Sequence, residues 1–248
     1  MGKLFLLTGD YMLNSKGKDA IVNAANKYME PGGGICGVIY SNAGPELISY
    51  CKDNYSSNMV NGEVRITPGF NIGMDIIHVL APVYYEVKDS INELLKGYNN
   101  MLDEILKHNY KNVIVCSLGT GVFGYNHDDV AKPLIELLND FCKNNDVNIY
   151  LNNLYPTYKD VYLKEYLNIN NINLKDLYGL DIEEMKEFLK NNNLVENDIN
   201  AKYDNFVKPH DLEDLCLSEK LLCLQYTLDN YKMSVDGIKE LLDILKIC

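Results

Sequence analysis

Val113-Ile114-Val115-Cys116-Ser117-Leu118-Gly119-Thr120-Gly121-Val122-Phe123-Gly124-Tyr125 is the stretch on which the fold turns. Val113–Ser117 is a near-continuous β-branched run, the pattern of a strand covered on both faces. Glycines and a small hydroxyl follow, and then a helix-length segment, Asp128–Phe141, with Pro133 in its first turns. Buried strand, glycine-rich turn and helix together make one step of an α/β fold with a mostly parallel sheet.

The same step recurs on either side. Lys3–Leu7 and Ala20–Ala25 are short apolar runs that end in polar or glycine-rich turns. Val64–Thr67 and Ile76–Leu80 read as strands after a helical stretch near Val38–Tyr50. Asp89–His108 is helical in length and period, with Ile91, Leu94, Leu95, Tyr98, Leu102, Ile105 and Leu106 recurring at three and four. Asn148–Leu154 reads as a last strand and Lys159–Leu167 as a closing helix. The alternation predicts a three-layer α/β/α sandwich with a mixed, mostly parallel sheet over residues 1–168. Ligands in such sheets sit at the carboxyl ends of strands. All the suggestive loops here follow expected strands.

Beyond the asparagine-rich Asn168–Asn173 the pattern changes to short amphipathic helices, so residues 169–248 are expected to form a small all-helical C-terminal region. Asp181 with Glu184 resembles a capping box opening a helix through Lys190. Asp211–Tyr231 and Ser234–Ile247 read as two more. This region carries no catalytic motif; a protein partner is one use for it. Near the lower size limit for folding alone, it is expected to dock on the first domain.

Composition narrows the function. Net charge is −12, with 47% hydrophobic and 23% charged residues. A polynucleotide binder draws most of its affinity from cations on phosphate, so this balance argues against nucleic acid. A small anion is different, because backbone N–H groups can hold it without lysine or arginine. No run approaches the apolar length of a membrane span, and the first residues lack a signal-peptide core, which makes a cytoplasmic location the default expectation. The seven cysteines are unpaired as motifs and read as reduced, mostly buried thiols. Four histidines scattered without metal spacing give no zinc signature, and nothing calls for a cofactor.

Two loops carry the chemistry. Ile21-Val22-Asn23-Ala24-Ala25-Asn26 leads to Pro31-Gly32-Gly33-Gly34-Ile35-Cys36-Gly37, where consecutive glycines let several N–H groups approach an anion. Ser117-Leu118-Gly119-Thr120-Gly121-Val122-Phe123-Gly124 is the second. Either alone reads equally well as a tight turn; the two together favour a clamp around a diphosphate.

At these residues the sequence resembles the macrodomain family. The likeness rests on Asn23-Ala24-Ala25-Asn26 with the triple glycine, on Gly9-Asp10, and on Gly119-Thr120-Gly121-Val122-Phe123-Gly124. It extends through Ala43-Gly44-Pro45-Glu46-Leu47, Gly62–Gly69 and Ile77-His78-Val79, in order over roughly residues 1–168. It is similar to the MacroD-type branch, which removes ADP-ribose from modified proteins and deacetylates O-acetyl-ADP-ribose. The resemblance implies a site residue by residue. Asp10, with Tyr11 beside it, would receive the adenine amino group, although an aspartate there also suits a helix N-cap. Asn26 would bond the distal ribose and Asn23 brace the loop. Gly33, Gly34, Ile35, Gly37 and Val38 would approach the ribose and phosphate. Ser117, Gly119, Thr120, Gly121 and Val122 would cradle the diphosphate. Phe123 would pack on the distal ribose or, equally, in the core. Leu154 or Tyr155 would border the adenine. Tyr40, one helical turn beyond Cys36, is by its own position a candidate pocket wall. The implied ligand is ADP-ribose or an ADP-ribosylated protein.

One position departs from the pattern. Hydrolases of this branch usually carry an aspartate where this chain has Cys36, and a neutral thiol is a poor base for water. Three readings stay open: a domain that binds without cleaving, hydrolysis in which a substrate phosphate orients the water, or a thiolate stabilised by the helix N-terminus. His127, Asp128 and Asp129 stand where a helix cap is expected, with His127 within reach of the pocket rim.

Overall fold

A computed structural model describes residues 1–207 and 212–247. In chain order it contains strand β1 (Leu4–Thr8), helix α1 (Tyr11–Ser15), β2 (Ala20–Ala24), α2 (Gly34–Ala43), α3 (Pro45–Asn54), β3 (Val64–Thr67) and β4 (Asp75–Val79). Then follow α4 (Ser90–Lys107), β5 (Asn112–Cys116), α5 (His127–Asn144), β6 (Asn148–Asn153) and α6 (Pro156–Ile169). The last helices are α7 (Ile182–Asn191), α8 (Ile199–Phe206), α9 (Leu217–Asn230) and α10 (Val235–Leu245). The chain divides into two compact units, Met1–Leu4 with Asp10–Asn152, and Phe5–Gly9 with Asn153–Cys248.

The first unit is the expected α/β sandwich on a mixed sheet, with strands in the order β6-β5-β2-β4-β3. β2 runs parallel to β4 and to β5, and β5 parallel to β6, while β3 is antiparallel to β4. The pairing of Ala20 with Val113 and of Ile21 with Ile114 sets β2 and β5 side by side. The loops that leave their carboxyl ends are therefore neighbours. Both strands are buried almost throughout, as their apolar runs require.

Two hydroxyls fix this junction. Tyr11 Oη lies 2.8 Å from the Val22 carbonyl and 3.0 Å from that of Ile114, tying β2 to β5 from below. Tyr98 of α4 accepts a hydrogen bond from the Leu118 amide at 2.7 Å and donates to the Cys116 carbonyl at 3.3 Å. It thereby sets the angle at which the second loop leaves β5.

The helical stretch expected near Val38–Tyr50 is in fact two helices. Gly44 takes φ of +92°, and a side chain there would collide with Asn71 at 2.6 Å. Pro45, lacking an N–H, opens α3. Residues His127, Asp128 and Asp129 do not cap α5. Asn126 does, accepting from the Asp128 amide at 3.1 Å, while the two aspartates complement the first turn.

The second unit holds α6 to α10 together through buried polar groups. Glu196 accepts from Lys159 of α6 and Lys202 of α8, both at 2.6 Å, with all three side chains buried. Gln225 of α9 bonds both the N–H and the C=O of Glu196. Asp160 accepts the Leu217 and Ser218 amides at 2.7 and 2.6 Å and so caps α9. The capping box of Asp181 and Glu184 is present as expected. The helix expected from Asp211 begins at Leu217, and Asp211 itself lies outside the described residues. α8 lies within the stretch expected to be short helices, although no helix was expected at its own position.

Candidate functional site

The first loop is anchored below and open above. Asn26 closes it upon itself: its Oδ1 accepts from the Tyr28 and Glu30 amides at 3.1 and 3.4 Å, and its Nδ2 donates to the Glu30 carbonyl at 2.6 Å. Gly33 is the N-cap of α2 and supplies no side chain to the free amides of the first turn. A Cβ at Gly33 or Gly34 would meet nothing within 4 Å, so both backbones face open space. At Gly37 a Cβ would strike the Gly32 carbonyl at 2.4 Å, which makes that glycine a packing requirement. Ile35 is half-buried and Val38 exposed along the same helix.

Asn23 sits deeper. It is fully buried, with its Nδ2 3.0 Å from His78 Nδ1. His78 Nε2 in turn lies 2.9 Å from Thr67 Oγ1. β2, β4 and β3 are thus joined by side chains under the loop. Burial first, and the Arg65 charge second, lower the His78 pKa to about 3, so the ring is neutral at physiological pH. The bracing expected of Asn23 is shared: Asn26 ties the loop and Asn23 ties what lies beneath it.

Cys36 fills the gap between these two amides. Its Sγ is 3.9 Å from Asn23 Nδ2, 3.8 Å from Asn26 Nδ2 and 3.5 Å from the Glu30 carbonyl. Burial raises its pKa, outweighing the hydrogen bonds that would lower it. The helix N-terminus does not generate a thiolate here.

The second loop is built the same way. Gly119 takes φ of +79°, and a Cβ there would lie 2.7 Å from the Tyr125 ring; only glycine fits. Thr120 turns inward, its Oγ1 donating to the Ser117 carbonyl at 2.8 Å. Gly121 has open space where a side chain would stand, and Val122 is 92% exposed. The Gly124 amide donates to the Gly121 carbonyl at 3.1 Å, and the Phe123 carbonyl accepts from Tyr84 at 2.9 Å. Phe123 is half-buried, between the two roles expected for it.

Asp10 caps α1, accepting from the Leu13 amide at 2.8 Å, and keeps an exposed carboxylate. Tyr11 is buried and spends its side chain in the core. Tyr40 does not form the expected pocket wall: it is buried, its hydroxyl bonded to the Met29 carbonyl at 2.5 Å, and it is a strut of the core. Leu154 and Tyr155 belong to the second unit, where both are largely exposed.

A separate polar cleft of about 570 Å3 opens beside β3, lined in part by Tyr55, Arg65, Lys107 and His108. Its buried cation is already committed, because Arg65 bonds Glu63, Ser57 and Asn58. Among the described residues no group of His, Cys, Asp or Glu could hold a metal ion, and no helix is long and apolar enough to cross a membrane.

Comparison with known proteins matches residues 22–134 to the Macro domain family model. A macro domain-containing protein of Chlorobaculum tepidum is 34% identical over 119 residues, which are 47% of this chain and 68% of that protein. ADP-ribose glycohydrolase MACROD1 of Rattus norvegicus is 32% identical over 142 residues, covering 56% of this chain and about half, 54%, of the relative. The Oceanobacillus iheyensis macrodomain solved with ADP superposes with a TM-score of 0.64 at 28% identity, over 68% of this chain and 93% of that one. The Trypanosoma brucei macrodomain in complex with ADP-ribose gives a TM-score of 0.57 at 26% identity, over 65% and 68%.

Proposed function

This chain belongs to the macrodomain family, and from that premise we propose that it binds ADP-ribose between its two loops and hydrolyses the bond joining ADP-ribose to an acceptor or acyl group. One observation carries the reading. Two glycine-built backbones, each with open space above it, leave the carboxyl ends of adjacent parallel strands. Backbone N–H groups in that arrangement suit a diphosphate without any cationic side chain, which also fits a net charge of −12.

In this reading Asp10 takes the adenine amino group, and Gly119 to Val122 cradle the diphosphate from one side while Gly33, Gly34 and Ile35 approach from the other. Asn26 exchanges its bond to the Glu30 carbonyl for a ribose hydroxyl. Cys36 neither attacks nor deprotonates water, because its thiol stays protonated. Binding energy from adenine and diphosphate instead holds the ribose C1 in a near-attack geometry, with a substrate phosphate oxygen orienting the water. No metal or redox group enters the scheme. The second reading is a module that recognises ADP-ribose without cleaving it. The neutral Cys36, standing where a carboxylate is usual, is the observation that favours it.

Titration of ADP-ribose against Gly33→Glu and Gly121→Glu tests the pocket. Neither new side chain meets an atom of the fold at its Cβ, so both variants are expected to fold normally. Each places bulk and like charge in the diphosphate channel, and affinity is expected to fall at least about 100-fold. Wild-type affinity in either variant would refute the assignment.

A further inference from the structure

Tyr85 is the most exposed aromatic residue of the first unit, at 85% relative exposure, yet its ring is held in place. It packs edge-on against Tyr84, with centroids 5.0 Å apart, and Tyr84 packs edge-on against Tyr125 at 5.2 Å. Tyr125 is buried and lies directly under Gly119. The backbone locks the same row: the Tyr84 amide bonds the Phe123 carbonyl, and the Tyr85 ring lies 3.4 Å from the position a Gly124 Cβ would take. Three tyrosines therefore run from beneath the second loop to its outer rim. The last of them has no burial to explain it.

Tyr85 stands at the Phe123 end of the loop, the end assigned to the distal ribose. Whatever is joined to that ribose leaves the site on this side. Val122, at 92% exposure, and Tyr28, at 57%, are exposed on the two loops that frame it. An exposed ring packed in a row at the mouth of a site, with a second exposed apolar group on the same loop, suits recognition of a partner. The charges nearby set the partner's chemistry. Glu30, Glu86, Asp128 and Asp129 are exposed on these loops and the turns that follow, against Lys27 and Lys88. A polynucleotide would be repelled.

We propose that Tyr85, with Val122, forms an acceptor-docking rim that takes the polypeptide flanking an ADP-ribosylated residue, with a preference for segments that are apolar or basic. This rests on the reading of the loops as an ADP-ribose site and adds to it the class of acceptor.

Three probes test it against wild-type chain, Tyr85→Phe and Tyr85→Ser. They are free ADP-ribose, a peptide carrying ADP-ribose through a non-cleavable linkage, and an oligonucleotide carrying it at one end. Tyr85→Ser is expected to weaken the peptide probe about fivefold or more and to leave free ADP-ribose unchanged. Tyr85→Phe, which keeps the ring, is expected to behave as wild type. Equal peptide affinity in all three proteins would overturn the inference while leaving the ADP-ribose site standing. Selective loss of the oligonucleotide would overturn it in favour of a nucleic-acid acceptor. Failure of the wild type to bind free ADP-ribose would remove the site reading, and the rim with it.

Discussion

Cys36 is the residue that sets the two readings of the site apart. It occupies a space shaped by Asn23, Asn26 and the Glu30 carbonyl, and burial keeps its thiol protonated. Cys36→Asp would place a carboxylate within reach of two amide donors. We expect it to raise ADP-ribose release in a steady-state assay, because a base beside the water contributes typically 10²–10⁴-fold where one is lacking. Turnover unchanged from that of the wild type would mean that more than this side chain limits release. The glycine runs and Cys36 were legible in the sequence because their spacing is local and their chemistry depends on residue type. The fate of Tyr40 was not: a tyrosine one turn beyond Cys36 reads the same whether its hydroxyl meets solvent or the Met29 carbonyl. Nor did local pattern single out Tyr85, whose role depends on Tyr84 and Tyr125 from different loops.

Among the elements, the strands were read most closely, since buried parallel strands announce themselves as unbroken apolar runs. β3 fell where expected, and β2, β4, β5 and β6 within a residue at either end. Helices were read less well where glycine decides. The αα break at Gly44 needs a left-handed backbone that a periodicity count passes over, although Gly44-Pro45 was there to be read. α8 was missed because its eight residues carry little amphipathic pattern. The tie across β2, β4 and β3 makes a pH prediction. His78 titrates at about 3 in the fold against 6.5 for an ordinary histidine, so between those values the unfolded chain binds the extra proton. Stability from this group is present above about pH 6.5 and lost as pH falls toward 3. Thermal unfolding across that range should show the loss, and His78→Gln should reduce its steepness; an identical slope would assign the acid sensitivity elsewhere. In the second unit, Glu196→Gln would leave two buried ammonium groups without their shared carboxylate. We expect a loss of about 3–5 kcal/mol in that unit, seen as faster amide exchange in α6, α8 and α9. Unchanged protection would show that the pairs contribute nothing.

At the scale of the whole molecule, the anionic balance and the backbone-built site belong together. In the proposed reading a chain of net charge −12 would hold an anion with N–H groups from two turns, and its exposed carboxylates would disfavour longer polyanions. The fold class and the pairing of the two loops were readable because both follow from strand-turn-helix repetition. The helical region from Asn153 onward was readable only as helices. Its wiring through Lys159, Glu196 and Gln225 joins residues up to 66 positions apart in sequence, beyond the reach of any local pattern. The central claim, hydrolysis without the customary carboxylate, is tested most directly by incubating the chain with a protein mono-ADP-ribosylated through carboxylates and measuring ADP-ribose released, beside a binding titration. The account predicts micromolar or tighter binding, about −8 kcal/mol, together with release that persists in Cys36→Ala. Binding without release from any linkage would contradict it and leave a reader of ADP-ribose.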